Sequence, residues 1–178
     1  MCSKKEIRQR IKQQVLSLSA AERQQLSADA LARLKQHPRY QTASVVALFS
    51  SLSDEVTTHE LIDTESKSKT VLLPVVVGND IELRIYQGAE TMKQGAFGIS
   101  EPQGKTFREF EKIDVIIVPG VAFDVNCNRL GRGKGYYDRF LGQFALRHVF
   151  KIGLCFPFQV LEKLPTQAHD VKMDAVIS

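Results

Sequence analysis

Residues 128–138 read Asn-Arg-Leu-Gly-Arg-Gly-Lys-Gly-Tyr-Tyr-Asp, and the interpretation of the whole chain begins from this stretch. Three glycines alternate in it with the cations Arg132 and Lys134. Glycine lets the backbone approach a ligand closely and adopt positive φ without a clash at Cβ. Backbone N–H groups in such a loop, beside a helix N-terminus, favour an anion. The stretch therefore predicts a phosphate-binding loop, followed by a helix over residues 136–144.

A flexible basic surface loop is the alternative interpretation, because glycine-rich turns are common. The spacing matches neither the dinucleotide pattern G-x-G-x-x-G nor the Walker pattern G-x-x-x-x-G-K-[ST]. Two features favour a binding site. A flexible linker would carry Ser and Asn rather than the bulky pair Tyr136 and Tyr137. Asp138 beside three cations is consistent with a metal ion that accompanies a phosphate.

The composition indicates one ordinary domain spanning residues 1–178. Hydrophobic residues make up 43% of the chain, which is enough for a core. A net charge of +4 suits an anionic small molecule. The basic residues are spread along the chain, so we expect no nucleic-acid partner.

Cysteine usage and hydropathy predict the compartment. The three cysteines are far apart in the sequence and form no disulfide framework, which favours a reducing environment. No signal peptide and no membrane-spanning apolar run is recognised. We therefore expect a cytoplasmic protein without a membrane partner, and a monomer.

Two capping boxes predict the first helices. Ser3 is followed by Glu6, and Ser19 is followed by Glu22. The second helix is expected to end before Pro38, and a further helix is expected over residues 57–66.

Lys4 and Arg8 lie four residues apart in the first predicted helix, so they share one face. A solvated basic face is the interpretation that this spacing alone favours.

Apolar, β-branched runs alternate with these helical patterns, at residues 43–49, 70–77, 113–119 and 149–156. Such alternation predicts an α/β fold with a mostly parallel sheet flanked by helices. Pro74 is expected at a strand end or a bulge, because proline cannot donate to a ladder.

Two further strands and one loop complete the predicted order. Residues 80–86 alternate like a half-exposed strand. A short last strand is expected near residues 173–177, and residues 95–102 are expected to form a loop.

Polar residues follow the first predicted strand. Ligands of open α/β sheets bind outside the carboxyl ends of the strands, where Ser50 and Glu55 would lie. Glu55 could instead complement the dipole of the next helix. Near the C-terminus, His169 and Asp170 precede the last predicted strand. One interpretation of this pair is a turn that positions that strand.

Residues 129–138, preceded by Pro-Gly-Val-Ala-Phe-Asp at 119–124, resemble the signature of the 5-formyltetrahydrofolate cyclo-ligase family. These enzymes are also called 5,10-methenyltetrahydrofolate synthetases. The resemblance covers most of the chain and implies a Rossmann-like three-layer α/β domain. It also implies ATP-driven, Mg²⁺-dependent closure of 5-formyltetrahydrofolate to 5,10-methenyltetrahydrofolate, through phosphorylation of the formyl oxygen.

The resemblance implies a role for each candidate site residue. Arg132 and Lys134 would stabilise the transferring phosphoryl group. The nucleotide would contact these two residues and Lys4, Arg8, Arg129, Gly131, Gly133, Gly135, Tyr136 and Tyr137. Folate would contact Ser50, Glu55, Phe97 and Tyr136, although ordinary packing is the other interpretation of Phe97. Asp138 and Asp170 would hold Mg²⁺.

One position departs from the family pattern. The family usually has glycine two residues before the Arg of R-L-G, and Cys127 stands there. If the backbone needs positive φ at this position, Cys127 is strained.

Two rival functions remain from the sequence. A phosphate- or ATP-binding module without ligase activity would use the same loop, but would not need Glu55 or the segment around residues 95–102. An RNA-binding protein would need clustered cations with interleaved aromatic residues, and only the tyrosine pair resembles that arrangement.

Overall fold

The computed structural model describes residues 2–95 and 98–178 of the chain. Its α-helices are α1 (Lys4–Ser17), α2 (Ala20–Gln36), α3 (Pro38–Thr42), α4 (His59–Glu65) and α5 (Tyr136–Leu141). Both capping boxes are confirmed, because Ser3 and Ser19 each exchange hydrogen bonds with the glutamate three residues later. None of the helices in the described residues is long and apolar enough to cross a membrane.

The strands form one large sheet and two small ones. They are β1 (Val45–Ala47), β2 (Thr70–Val77), β3 (Asp80–Ile85), β4 (Met92–Gln94), β5 (Ser100–Pro102), β6 (Val115–Pro119), β7 (Ala122–Asp124), β8 (Arg129–Leu130), β9 (Phe150–Leu154), β10 (Val160–Leu161) and β11 (Ala175–Ile177). The large sheet has the order β11-β9-β6-β1-β2-β3. Its strands are parallel except β3, which runs antiparallel to β2. The predicted mostly parallel sheet is therefore confirmed.

Hydrophobic cores lie on both faces of the large sheet. Successive residues of β6 point to opposite faces, as the period of a strand requires. Val115 and Ile117 pack in the core that includes residues of α1, α2 and α4. Ile116 and Val118 pack in the core that includes residues of α5. Helices cover both faces, and this confirms the predicted three-layer α/β architecture.

Pro74 lies inside β2, so its prediction as a strand end or bulge is wrong. The register between β2 and β3 is continuous, with Pro74 opposite Leu83. The parallel ladder to β1 ends two residues earlier, where Ala47 pairs with Leu72. A missing N–H at Pro74 is tolerated because β1 no longer runs beside it.

Local pairing also changes two other predictions and adds two short strands. Residues 100–102 form β5, which pairs with β4 in an antiparallel hairpin, instead of continuing a loop. The connection from β6 to the glycine-rich stretch contains β7 and β8, which pair with each other beside β10. The helix predicted over residues 136–144 is shorter, because α5 ends at Leu141 and a separate 3-10 turn follows.

The topology brings two connecting segments to one edge of the large sheet. β1 and β6 are parallel neighbours, since Val46 pairs with Val115 and Ala47 with Ile116. Their carboxyl ends therefore lie side by side. The segment that follows β1 carries Glu55, and the chain that follows β6 leads into the glycine-rich loop, so the two segments meet at this edge.

Candidate active site

A cavity of about 390 Å³ lies at the carboxyl edge of the sheet. One part of its wall comes from the glycine-rich loop and the start of α5. The rest comes from the segment after β1, from the end of β6, from β2 and β3, and from the β4–β5 hairpin. The predicted residues that line it are Ser50, Glu55, Arg129, Gly131, Arg132, Lys134, Gly135, Tyr136, Tyr137 and Asp138.

Two glycines of the loop adopt backbone conformations that other residues avoid. Gly133 has φ +101° and Gly135 has φ +71°. A side chain at either position would be strained whatever space surrounds it. Gly135 also directly precedes α5, so the turn into the helix depends on it.

Arg8 links α1 to the glycine-rich loop through a hydrogen bond. Its Nε donates to the carbonyl oxygen of Gly131 at 2.8 Å, and its guanidinium lies against Gly133. Lys4, one turn earlier, bonds a different segment of the chain. Its Nζ bonds Asp170 Oδ2 at 2.7 Å and Gln167 Oε1 at 3.2 Å. The interpretation of Lys4 and Arg8 as a solvated basic face is therefore wrong, because tertiary partners engage both cations.

Arg132 joins the loop to the segment after β1. Its guanidinium forms a two-point pair with Asp54, at 3.0 and 2.6 Å, and Nη2 also lies 2.9 Å from Glu55 Oε1. Burial acts to lower the pKa of Arg132, but hydrogen bonds and charges from both carboxylates raise it above its ordinary value. Burial likewise acts to raise the pKa of Asp54, and the bond to Arg132 outweighs it, so this pKa is lowered.

Glu55 is held from two sides. Its Oε2 accepts a hydrogen bond from the Leu52 N–H at 2.9 Å, while Oε1 receives Arg132. The interpretation of Glu55 as a helix-start carboxylate is wrong, because α4 begins only at His59 and its first-turn acid is Glu60. Its carboxylate lies instead in the wall of the cavity.

Ser50, the other polar residue predicted after β1, is buried in the cavity wall. Its Oγ lies 3.5 Å from His59 Nε2. Phe97 falls outside the described residues.

Asp138 and Asp170 are brought near each other, since the N–H of Val171 points to Asp138 Oδ1 at 3.5 Å. Each carboxylate is paired with a cation: Asp138 with Arg129 at 3.0 Å, and Asp170 with Lys4 at 2.7 Å. Burial acts to raise the pKa of Asp170, but the bond from Lys4 outweighs it, so this pKa lies below its ordinary value.

The donor set fits a metal ion that arrives with phosphates. Among the described residues, no group of three or more His, Cys, Asp or Glu side chains could hold a metal by itself. Mg²⁺ is commonly held by one or two carboxylates together with substrate phosphates and water. Asp138 and Asp170 could supply these two carboxylates, and phosphates and water would supply the remaining ligands.

Arg129 is a buried cation at the start of the glycine-rich loop, and its contacts stabilise the loop. Only 6% of its surface is exposed, and besides Asp138 it bonds the carbonyl oxygen of Pro119 at 3.2 Å. Its guanidinium lies 5.4 Å from the ring centroid of Tyr137. Burial and then the charge of Glu55 raise the pKa of the Tyr137 hydroxyl, so this phenol stays neutral.

Lys134 differs from the other predicted cations. Its side chain is exposed at the cavity. Within residues 2–95 and 98–178, its Nζ forms no hydrogen bond and no ion pair. Its ammonium charge is therefore available to a bound anion.

Cys127 has φ +62°, which confirms that this position needs positive φ. Asp124, which is 1% exposed, stabilises the turn around it. Its Oδ1 accepts from the N–H groups of Asn126 and Asn128 at 3.0 and 2.9 Å, and Oδ2 accepts from Leu164 N–H at 2.9 Å. These bonds maintain the turn although a residue other than glycine occupies its left-handed position.

The apolar half of the cavity was not predicted from the sequence. It is lined by Phe49, Leu52, Pro74, Val76, Ile81, Ile99 and Pro119, with Glu101 among them. These apolar residues lie in or beside strands, where the sequence pattern indicates core packing. Pro74 was a sequence signal for this wall, because a residue without an N–H fits where β1 no longer pairs with β2.

The fold and the site together define a class of protein. A basic glycine-rich loop and an apolar cavity share one edge of a parallel α/β sheet, which is the arrangement of an enzyme that places a phosphate compound beside an organic ligand.

Comparison with known proteins gives the family. The profile of the 5-formyltetrahydrofolate cyclo-ligase family matches residues 1–178. The mouse 5-formyltetrahydrofolate cyclo-ligase is 31% identical over 188 residues, covering 98% of this chain and 93% of the relative. The chain therefore belongs to the 5-formyltetrahydrofolate cyclo-ligase family, and it is a ligase.

Solved structures agree with this assignment. The 5,10-methenyltetrahydrofolate synthetase of Aquifex aeolicus superposes with a TM-score of 0.84 at 38% identity, covering 98% of this chain and 88% of the other. The synthetase of Mycoplasma pneumoniae superposes with a TM-score of 0.76 at 26% identity, covering 99% and 98%.

Proposed function

We propose that this protein, as one domain over residues 1–178, uses ATP to close 5-formyltetrahydrofolate into 5,10-methenyltetrahydrofolate, with release of ADP and phosphate. One observation carries the proposal besides family membership. The glycine-rich loop, in which Lys134 Nζ has no partner among the described residues, opens into the same cavity as a large apolar wall that a flat ring can occupy. A binding module for nucleotide alone would not need that wall.

The chemical problem is the formyl group. A formamide carbon is a poor electrophile, and its oxygen leaves poorly. Attack of the formyl oxygen on the γ-phosphorus of ATP breaks the bond to ADP and makes a phosphate leaving group. N10 then forms a bond to the activated carbon and loses its proton, and phosphate departs with the original formyl oxygen.

Lys134 and Arg132 would act as the catalytic cations for this transfer, which depends on positioning and charge stabilisation. Lys134 would contribute more of this charge stabilisation than Arg132, because its charge is not neutralised by the described residues. Arg132 shares its charge with Asp54 and Glu55, so it would also hold the folate side of the cavity against the loop.

The remaining predicted residues would bind the nucleotide. Gly131, Gly133 and Gly135 would let phosphate oxygens approach the backbone, and Arg8 supports this loop from α1. Lys4 would share its charge between Asp170 and the phosphates. Tyr136 and Tyr137 would line the boundary between nucleotide and folate.

Mg²⁺ would be held by Asp138 and Asp170, and when bound it neutralises charge on the phosphates. Both carboxylates are held in place by their partners Arg129 and Lys4. Tyr136, Ser50 and Glu55 would contact the folate.

The partners that we propose are small molecules alone, namely folate and nucleotide, without nucleic acid. We propose a monomer that acts in the cytoplasm. The cavity-lining residues that the structure describes all come from one chain, and this supports a monomer.

An isotope experiment tests the proposed reaction. The purified protein receives 5-formyltetrahydrofolate labelled with ¹⁸O in the formyl group, together with ATP and Mg²⁺. The expected result is one labelled oxygen in the released phosphate for each ring closed. Formation of product with unlabelled phosphate would contradict phosphorylation of the formyl oxygen. Nucleotide binding without any product would instead favour a binding module.

A further inference from the structure

Glu101 is a buried carboxylate in an otherwise apolar part of the cavity. It lies in β5, is 9% exposed, and lines the cavity together with Val76, Ile81 and Ile99. A charged group in such surroundings is destabilising unless it is paired or hydrogen-bonded. The contacts of Glu101 therefore need a physical explanation.

Hydrogen bonds among the described residues satisfy only one of the two oxygens of the Glu101 carboxylate. Oε1 accepts a single hydrogen bond, from the Val76 N–H, at 3.3 Å. Oε2 lies against Gly95, where any Cβ would overlap it. In the part of the chain that the structure describes, Oε2 accepts no hydrogen bond and no cation pairs with either oxygen.

The other acids of the cavity wall are differently placed. Glu55 is neutralised by Arg132 and also bonded to Leu52, and Asp138 is paired with Arg129. Of the carboxylates that line the cavity in the described residues, Glu101 alone has no cation. It is also the acid set among the apolar residues, where a flat ring would be bound.

We propose, on the basis of the function proposed above, that Glu101 is a specificity-determining residue for the folate ring. A pterin presents an N–H and an exocyclic amino group side by side on one edge. A carboxylate accepts two such donors in parallel, in the fork geometry that makes these hydrogen bonds strong. Glu101 binds this edge, so the ring lies in the apolar half with its formyl group toward Lys134.

A purely structural role is the competing explanation. The bond to Val76 fastens the β4–β5 hairpin to β2, and this alone could account for a polar residue at position 101. Glu101→Gln separates the two roles. Glutamine keeps an oxygen that accepts from Val76, but it loses the charge and the second acceptor that the pterin edge needs.

The experiment compares wild-type protein, Glu101→Gln and the control Glu90→Gln, which changes an exposed acid beside β4. Steady-state kinetics give KM for 5-formyltetrahydrofolate and for ATP, and a thermal melt reports folding. We expect Glu101→Gln to raise the folate KM by about tenfold or more, as the loss of a hydrogen bond to a charged group does. The KM for ATP and the melting temperature should stay within about twofold and a few degrees of wild type.

A substrate analogue without the exocyclic amino group gives a second readout. It should bind wild-type protein more weakly than the normal substrate and should show no further loss with Glu101→Gln. An unchanged folate KM in Glu101→Gln, or independent losses for variant and analogue, would overturn the role of Glu101 and leave the reaction intact. Parallel rises in both KM values with a lower melting temperature would show the structural role and also overturn it. Wild-type protein without ring closure would contradict the proposed function itself.

Discussion

Arg132 and Glu55 connect the two halves of the cavity, with Nη2 of the arginine 2.9 Å from Oε1 of the glutamate. They are 77 residues apart in the chain. One belongs to the glycine-rich loop, and the other to the segment that follows β1. Their pair, strengthened by Asp54, places the proposed phosphate site directly against the proposed folate site.

Glu55→Gln tests this connection. The amide keeps an acceptor for Leu52 N–H but removes the charge that faces Arg132. We expect weaker binding of 5-formyltetrahydrofolate, by about 1.5–3 kcal/mol, because a hydrogen bond to a charged group is lost. Nucleotide binding should not weaken, because the positive charge of Arg132 is then balanced by Asp54 alone. Calorimetric titration of each ligand measures both effects, with Glu60→Gln in α4 as the control. Equal losses for both ligands would argue for general misfolding.

Lys134→Ala should reduce turnover by about 100-fold or more while leaving stability nearly unchanged. Removal of a group that meets developing charge typically costs roughly 2.7–4 kcal/mol of transition-state stabilisation. Lys134 is exposed and makes no bond through Nζ in the described residues, so folding should not depend on it.

Steady-state kinetics beside a thermal melt measure both quantities for Lys134. Lys163→Ala, which changes an exposed lysine outside the cavity wall, is the matched control. Lys134→Arg should rescue only in part, because a planar guanidinium does not replace a compact ammonium. Near-normal turnover in Lys134→Ala would remove this residue from the catalytic cations.

The pH dependence of stability should follow Asp124. Burial acts to raise the pKa of Asp124, but hydrogen bonds from Asn128 and from the N–H groups of Leu164 and Asn126 outweigh it, so the pKa lies below 3.8. A lowered folded-state pKa stabilises the fold above the unfolded value near 3.8, and this stabilisation is lost as pH falls through the folded value.

Urea unfolding at neutral pH and below about pH 4 checks this prediction. Asp124→Asn should lower the free energy of unfolding at neutral pH and flatten its decline in acid. Asp29→Asn, an exposed change in α2, serves as the control. An Asp124→Asn protein with wild-type stability at neutral pH would mean that other groups hold the turn.

Cys127→Gly should stabilise the protein slightly. Relief of a left-handed conformation contributes about 1–2 kcal/mol, and the greater freedom of glycine in the unfolded chain offsets about 0.4–1 kcal/mol of it. The net gain should lie between about 0 and 1.6 kcal/mol. Denaturant midpoints compare it with Cys127→Ala, which keeps the Cβ and should show no gain. A lower midpoint for Cys127→Gly would show that packing of the thiol outweighs the strain.

The features predicted from sequence are those that depend on local chemistry. The capping box of Ser3 and Glu6 needs only four consecutive residues, and β2 keeps its predicted bounds because its apolar run is uninterrupted. The positive φ at Cys127 followed from a family pattern that usually has glycine there. In each case the signal lies within a short stretch, so no knowledge of the tertiary structure was needed.

The features missed from sequence depend on contacts between distant segments. The bridge from Arg132 to Asp54 spans 78 residues, and no local pattern links the two. The burial of Glu101 could not be predicted for the same reason. It follows from the pairing of β5 with β4 and from the contact of Glu101 with β2. The position of Pro74 was predicted wrongly, because only the pairing register of β1 with β2 shows that β1 ends before it reaches Pro74.

Removal of the metal should stop the reaction. Asp138 and Asp170 offer two carboxylates, while the charge on the phosphates requires further neutralisation. We expect EDTA to abolish turnover and added Mg²⁺ to restore it, as followed by steady-state kinetics. The melting temperature without nucleotide should not change, because the two carboxylates are already paired with cations. Full turnover in excess EDTA would exclude this use of the two acids.

The most direct test of the central claim is the appearance of the methenyl chromophore. Purified protein is mixed with 5-formyltetrahydrofolate and Mg²⁺, with and without ATP, and the absorbance of 5,10-methenyltetrahydrofolate is followed beside the release of ADP. We predict that the chromophore appears only with ATP, in a one-to-one ratio with ADP. Release of ADP without the chromophore, or no reaction by folded protein that binds both ligands, would contradict the account.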